Sequence, residues 1–202
     1  MDELKSKILA NAVENLASLP GVGKKTALRL ALSMLKWPKH NIVSFSDAFA
    51  SLANDIKQCS VCNNYCDLDI CDLCDDPKRK PETICVVQDV RDLLAIEGTS
   101  SYKGMYHILG GLISPLEGIG PEKLYIDNLI SRLETGEVKE IIFALNSTVE
   151  GETTAFYIYN SIKTKVDVCS TLAKGISFQN ELEYTDQLTL GKSIENRTLF
   201  SH

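Results

Sequence analysis

Residues 59–74 read CSVCNNYCDLDICDLC, and four of those cysteines, Cys59, Cys62, Cys71 and Cys74, form two C-x-x-C pairs separated by eight residues. A C-x-x-C turn aims two thiolates at one point. Two such turns complete the closed sulfur tetrahedron that structural zinc prefers. The spacing therefore predicts a four-cysteine zinc finger with one structural Zn2+ per chain. Cys66 lies between the pairs as a further thiol, either spare or able to replace one of the four. A disulfide framework is the competing reading, and the odd total of seven cysteines weighs against it. Asp67, Asp69, Asp72, Asp75 and Asp76 crowd the same stretch. A finger this acidic is not built to grip phosphates and reads as a staple between its flanking segments.

The 202-residue chain is 44% hydrophobic and 24% charged, enough for one large core or two small ones. No apolar run approaches the roughly 18 residues of a membrane span. The start, MDELKSKILANAVENL, is spaced as an amphipathic helix and not as a signal peptide; with reduced cysteines this points to the cytoplasm. A net charge of −6 argues against a globally basic nucleic-acid binder. The distribution is uneven, however: residues 1–58 carry 8 Lys and Arg against 5 Asp and Glu, and residues 59–202 carry 13 against 22. The basic share lies ahead of the cysteines.

Leu4, Ile8, Ala12 and Leu16 fall four apart, predicting a helix over 2–17 with that face inward. LPGVGKKTALRLA follows, from Leu19 to Ala31. Pro20 and Gly21 stop the first helix, and a second over 24–35 is expected to turn Leu28, Ala31, Leu32 and Leu35 inward. The pattern is a helix–hairpin–helix, whose glycines leave N–H groups uncovered at a helix N-terminus where a phosphate can sit. Lys24, Lys25 and Arg29 would add cationic contacts that read backbone, not sequence. A nucleotide P-loop needs a different glycine spacing after a strand; an ordinary helix turn with solvated lysines is the plainer alternative. Trp37 beside Pro38 reads as an apolar plug at a helix end, with base stacking as its alternative. A third helix is expected over 46–57, capped by Ser46, with Phe49, Leu52, Ala53 and Ile56 inward.

Beyond the cysteines, Asp76 to Pro81 reads as a polar linker and the period changes. Short strands are predicted from Thr83 to Val87 and over 106–109, 140–145 and 166–169. Helices are predicted over 89–97, 122–134 and 153–163. Alternation of this kind implies a parallel α/β sheet, whose ligand sites lie beyond the carboxyl ends of the strands. Two loops fall there, Gln88–Asp92 and Asn146–Glu152. His107, in a strand, reads as packed and not catalytic, and Cys85 and Cys169 read as core thiols. No catalytic set is recognisable.

The order helix–hairpin–helix, four-cysteine finger and small α/β domain resembles the RecR family of bacterial recombination mediators over nearly the whole chain. LPGVGKKTALRLA, the C-x2-C-x8-C-x2-C spacing, YKGMYHILGGLISPLEGIGPEKL (102–124), TVEGETTAFY (148–157) and LEYTDQLTL (182–190) carry the resemblance. It implies that the α/β domain has a Toprim-like fold. In Toprim enzymes a Glu after the first strand and a later D-x-D hold Mg2+. Here Gln88 stands for the Glu, Asn146 and Thr148 for the two Asp, and only Glu150-Gly151-Glu152 survives. Gln88 departs even from many RecR-like chains. So do Thr171, Ser177 and Gln179-Asn180, where many relatives carry Arg, Pro and a Gly-Gly pair.

The resemblance implies DNA contacts at Lys25 and Arg29, with Lys24 in addition, and binding of the partner RecO at Asp92, Glu150 and Glu152. It implies a multidomain α/β chain: a helical DNA-binding domain (1–57), a four-cysteine finger (58–76), a Toprim-like domain (81–169) and a C-terminal extension (170–202) that joins subunits, with 195–202 as a polar tail. The implied function is a non-enzymatic, cytoplasmic mediator of recombinational repair. It would form a homotetrameric ring or clamp that acts with RecO, and with RecF as a further candidate partner, to load RecA on gapped DNA. A Mg2+-dependent Toprim nuclease or primase and a zinc-stapled module that binds only protein are the rival readings.

Overall fold

A computed structural model describes residues 5–173, 175, 176 and 181–197. Leu4, Ser177, Gln179, Asn180 and the tail from residue 198 onward lie outside the described residues. The chain divides into two compact units, residues 1–56 and 57–202.

The first unit is three helices: α1 (Lys7–Ala17), α2 (Lys24–Met34) and α3 (Lys39–Asn54). Ser6 caps α1, its hydroxyl accepting from the Leu9 N–H at 3.3 Å. Between α1 and α2 the chain reverses at Gly21, whose φ of +79° is open to glycine and costly for most other residues. The core is small. Val13, Ala27 and Ala31 are buried, flanked by Leu9, Leu16, Ala17, Val22 and Leu28. Alanines at the contact let two helix backbones approach closely; of the residues expected inward, Leu16, Leu28 and Ala31 join this core, and the others described do not. Ile8 is 87% exposed, Ala12 is exposed, and Leu32 and Leu35 also point outward. The expectation for α3 needs the largest correction. Pro38, with φ locked near its ring value, occupies the cap position, so the helix starts at Lys39 and Ser46 is interior. No residue of α3 is buried: Phe49 is 53% and Leu52 56% exposed, and Ala53 and Ile56 are exposed too. Trp37 packs edge-on against Phe45, with ring centroids 6.2 Å apart, and remains partly exposed.

The second unit opens with the cysteine segment: β1 (Lys57–Gln58), antiparallel to β2 (Tyr65–Cys66), then a single turn, α4 (Asp72–Asp75). There follow β3 (Lys80–Val87), α5 (Val90–Gly98), β4 (Gly104–Ile108), α6 (Ile126–Leu133), β5 (Glu140–Ala144), α7 (Val149–Ile162), β6 (Val168–Thr171) and α8 (Gln187–Glu195). The sheet order is β4-β3-β5-β6, every pair parallel. Side chains alternate across it. Ile84, Val86, Ile141 and Phe143 meet Leu129 and Leu133 of α6 and Ile158 and Ile162 of α7 on one face. Cys85, Val87, Tyr106 and Ala144 meet Leu93 of α5 on the other. Cys169 packs against the first of these clusters, partly buried.

Several boundaries differ from expectation. Lys80 and Pro81 belong to β3, not to a linker. Helix α7 begins a full turn early, because Thr148 caps it with its hydroxyl on the Gly151 N–H at 3.2 Å. Helix α8, capped by Asp186, was not expected.

His107 is fully buried in β4. Its Nε2–H donates to the Tyr125 carbonyl at 2.7 Å, which leaves Nδ1 to accept from Arg132 at 3.3 Å. Burial, aided by the Arg132 charge, pushes the imidazole down to about 4. A folded-state value below the unfolded one means the unfolded chain takes up the extra proton. The resulting stability is complete above about pH 6.5 and is lost as pH falls toward 4, by on the order of 3 kcal/mol. Denaturant unfolding at pH 7 and pH 4.5 should show this fall in the wild type, and His107→Gln should flatten it.

Candidate functional site

The four paired cysteines converge. Their sulfurs all lie within 4.8 Å of one another, with Cys62 and Cys71 at 3.5 Å, and Cys59, Cys62 and Cys71 are buried. The first C-x-x-C turn closes with Asn63 N–H on Cys59 O at 3.0 Å and Cys59 N–H on Asn64 O at 2.7 Å. Asn63 takes φ +63°, which asparagine tolerates better than most residues. The second turn starts α4, with Cys74 N–H on Cys71 O at 2.9 Å. Cys71 N–H also donates to the Cys59 sulfur at 3.3 Å, the kind of bond that steadies a thiolate. Sharing one small volume, the thiols separate in titration. Contact with Cys74 draws Cys62 down to about 5, while burial pushes Cys71 up to about 11. A divalent cation would take all four as thiolates, and an all-sulfur, tetrahedral, closed donor set fits zinc. Cys66 stands apart from the four, its thiol donating to Leu68 O at 2.9 Å.

The segment is seated on the free edge of β4. Ile108 N–H donates to Cys62 O at 2.9 Å, and Asn63 Nδ2 donates to Ile108 O at 3.3 Å. Asn63 was not singled out from the sequence, although an Asn directly after a C-x-x-C is a turn signal.

In the first unit, Lys24, Lys25 and Arg29 are all exposed on the opening turns of α2. Lys25 and Arg29, four apart, share a face. The cap residue Gly23 has no side chain to cover the helix N-terminus, and there is open space around both Gly21 and Gly23. Uncovered N–H groups and adjacent cations make a surface suited to a phosphate.

At the carboxyl end of the sheet, the loops after β3 and β5 meet. Asn146 Nδ2 donates to Gln88 Oε1 at 2.9 Å. Two carboxylates here would need a cation between them; two amides bond directly. Thr148, at the remaining expected metal position, is engaged as the cap of α7. Asp92 closes a capping box with Asp89 on α5, and Glu150 and Glu152 ride the first turn of α7, so the three acidic positions share this end of the sheet. Glu152 lies 3.7 Å from Lys192 of α8, a partner no sequence signal disclosed. Gly151 is required where it stands: a Cβ there would overlap the Asn146 carbonyl oxygen.

No described helix is long and apolar enough to cross a membrane. A family model described as RecR, helix-hairpin-helix matches residues 9–52, one for the Toprim domain matches 82–171, and one described as RecR, C-terminal matches 180–198. The recombination protein RecR of Flavobacterium johnsoniae is 50% identical over 198 residues, which cover 98% of this chain and 96% of that protein. That of Parabacteroides distasonis is also 50% identical, over 196 residues and 97% and 94% of the two chains. That of Porphyromonas gingivalis strain W83 is 46% identical over 201 residues, 100% and 97%.

Full-length protein purified with zinc should hold one ion per chain by atomic absorption. Serine at Cys59, Cys62, Cys71 or Cys74 should lower that stoichiometry and the unfolding midpoint, whereas Cys66→Ser should leave both unchanged. Equal zinc content in all five variants would rule out this donor set.

Proposed function

We propose that this chain, which belongs to the RecR family of recombination proteins, is a DNA-binding mediator of recombinational repair and not an enzyme. The observation that carries the reading is the family match over nearly the whole chain, with its helix–hairpin–helix, four-cysteine cluster and Toprim domain. The exposed Lys24, Lys25 and Arg29 beside an uncapped helix N-terminus are assigned as the phosphate contacts. The Gln88–Asn146 amide pair supports a domain kept as a binding scaffold, since neutral amides hold Mg2+ poorly. Zinc is assigned to the cysteine cluster as a structural ion.

The finer steps follow from the resemblance. In the cytoplasm, RecO is assigned to the acidic end of the sheet at Asp92, Glu150 and Glu152, with RecF as a further partner in some bacteria. The complex helps displace single-strand-binding protein and load RecA at gaps. A homotetrameric ring or clamp, joined through the helical domain (1–57) and the C-terminal extension (170–202), is the assembly we assign. The exposed Val43, Phe49 and Leu52 of α3 support a second copy as their cover. The finger (58–76) and the Toprim-like domain (81–169) complete the domain plan.

Fluorescence anisotropy on labelled gapped DNA with Mg2+ tests the DNA assignment. Lys25→Glu/Arg29→Glu should weaken binding more than tenfold and lower the salt slope by about 2, with the DNA intact on a denaturing gel. Unchanged binding would favour the module that binds only protein, and cut or extended DNA would favour the Toprim enzyme. For the partner surface, Glu150→Lys/Glu152→Lys should weaken capture by RecO while sparing DNA binding alone. Loss of neither, or of both together, would remove RecO from that surface.

A further inference from the structure

A divalent cation held by four thiolates is still doubly negative, and the finger around it is itself acidic. Asp67, Asp69, Asp72, Asp75 and Asp76 all lie within the segment or at its exit. Two cations that flank the segment already hold carboxylates. Lys57 pairs with Asp69 at 2.8 Å, and Arg79 pairs with Glu97 at 2.5 Å. Arg132 is different. It projects from the last turn of α6, is partly buried, and has no carboxylate within ion-pair distance among the described residues. Its Nη1 donates to Tyr106 O at 2.7 Å and to the lone pair of His107 Nδ1 at 3.3 Å. Both acceptors are neutral, so the guanidinium charge is left standing.

The register of β4 fixes where that charge sits. Tyr106 and Ile108 turn their backbone groups to the same free edge, about 6.6 Å apart along the strand. At Tyr106 that edge is bonded to Arg132; at Ile108 it is bonded to Cys62 O, at 2.9 Å. The guanidinium is therefore set beside the first C-x-x-C turn. Burial drives its proton affinity down, and negative charge at Cys74, Cys62 and Cys59 opposes that. An unpaired cation in a partly dry site is costly unless an anion lies near. Among the described residues, the anionic centre that opposes it is the thiolate set of the cysteine cluster, which would become a metal tetrathiolate on binding zinc.

We propose that Arg132 is the counter-charge of the metal centre, a positioning residue that stabilises the four thiolates through space without touching the ion. The proposal rests on the zinc reading of the cysteine cluster. A simple cap on Tyr106 O needs only one N–H, which Gln or Lys could also supply. The counter-charge role needs a cation, so charge and hydrogen bond can be separated by substitution.

The test uses full-length wild type, R132K, R132Q and R132M, with Zn2+ itself as the probe in competition with a chromophoric chelator. Circular dichroism and the thiolate-to-Co2+ absorption of the cobalt form monitor the fold and the donor set. R132Q and R132M should bind Zn2+ about tenfold more weakly, R132K should recover to within about threefold of wild type, and the differences should shrink at high salt. Equal affinity in R132Q and wild type would overturn the proposal. So would recovery by R132Q but not by R132K, which would mark a hydrogen bond and not a charge. Should R132M fail to fold, the comparison of R132Q with R132K decides, because both keep a donor for Tyr106. If the wild type itself binds no Zn2+, the metal reading fails and the counter-charge fails with it, an outcome separate from the other two.

Discussion

The free edge of β4 is the constraint on which the second unit depends. A parallel sheet in the order β4-β3-β5-β6 leaves one side of β4 with backbone groups that no strand can satisfy. The cysteine segment supplies what is missing: Cys62 O for the Ile108 N–H and the Asn63 amide for the Ile108 carbonyl, while Arg132 takes the Tyr106 carbonyl. The exit from the finger is locked to the same strand. Arg79 donates to Gly104 O at 2.9 Å, pairs with Glu97 of α5, and lies 5.7 Å over the Tyr106 ring. Order in the cysteine segment and satisfaction of the sheet edge are thus coupled, and in the zinc reading proposed above energy released on metal binding would be spread into the α/β core. The finger is a staple, but among the described residues its visible work is within the second unit.

The carboxyl end of the sheet shows how two loops can close on each other without a cation. Adjacent parallel strands bring the loops after β3 and β5 together whatever residues they carry. Carboxylates at Gln88 and Asn146 would repel at that distance, and a metal would have to reconcile them. An amide oxygen facing an amide N–H attracts unaided, at 2.9 Å. The close approach of Gly151 to the Asn146 carbonyl holds the second loop in the same conformation. The backbone geometry therefore needs no ion, and Glu150 and Glu152 are presented from the first turn of α7, at the same end of the sheet as Asp89 and Asp92.

What the sequence disclosed follows from the range of the signal involved. The cysteine cluster was legible because its spacing alone dictates convergence. The strands were legible because TICVV and EIIFAL are short apolar runs in an alternating pattern, and the two loops at the carboxyl end followed from strand order. The turn at Gly21 and the cations beyond it were legible for the same local reason. Helix faces in the first unit were legible only in part: Leu16, Leu28 and Ala31 were expected inward and are. Periodicity assumes that each helix hides its most apolar stripe in its own chain, and here Ala27 and Ala31 set the packing while Ile8, Leu32, Phe49 and Leu52 stay outside. The first turn of α7 was hidden because Glu-Gly-Glu reads as loop, although Thr148 caps it. Arg132 was hidden because its partners are backbone and ring atoms far away in sequence.

That misreading of the first unit carries its own information. A unit of 56 residues whose buried core is Val13, Ala27 and Ala31 has little apolar burial to set against chain entropy. It nevertheless exposes a run of large side chains on α3. Burying even three such side chains contributes about 1.5–3 kcal/mol each, comparable with the whole margin of a small domain. In the reading proposed above, a second copy would supply that burial, so assembly and the stability of the DNA-facing unit become the same requirement. The charge pattern points the same way. As the proposed phosphate contacts, Lys24, Lys25 and Arg29 would be few for a net-acidic chain, and each exposed contact would be weakened by salt. Joined copies turn later contacts into intramolecular ones, so affinity grows with the number of units engaged. In that reading, a weak, sequence-blind surface repeated in one assembly would be suited to holding DNA while other proteins exchange on it.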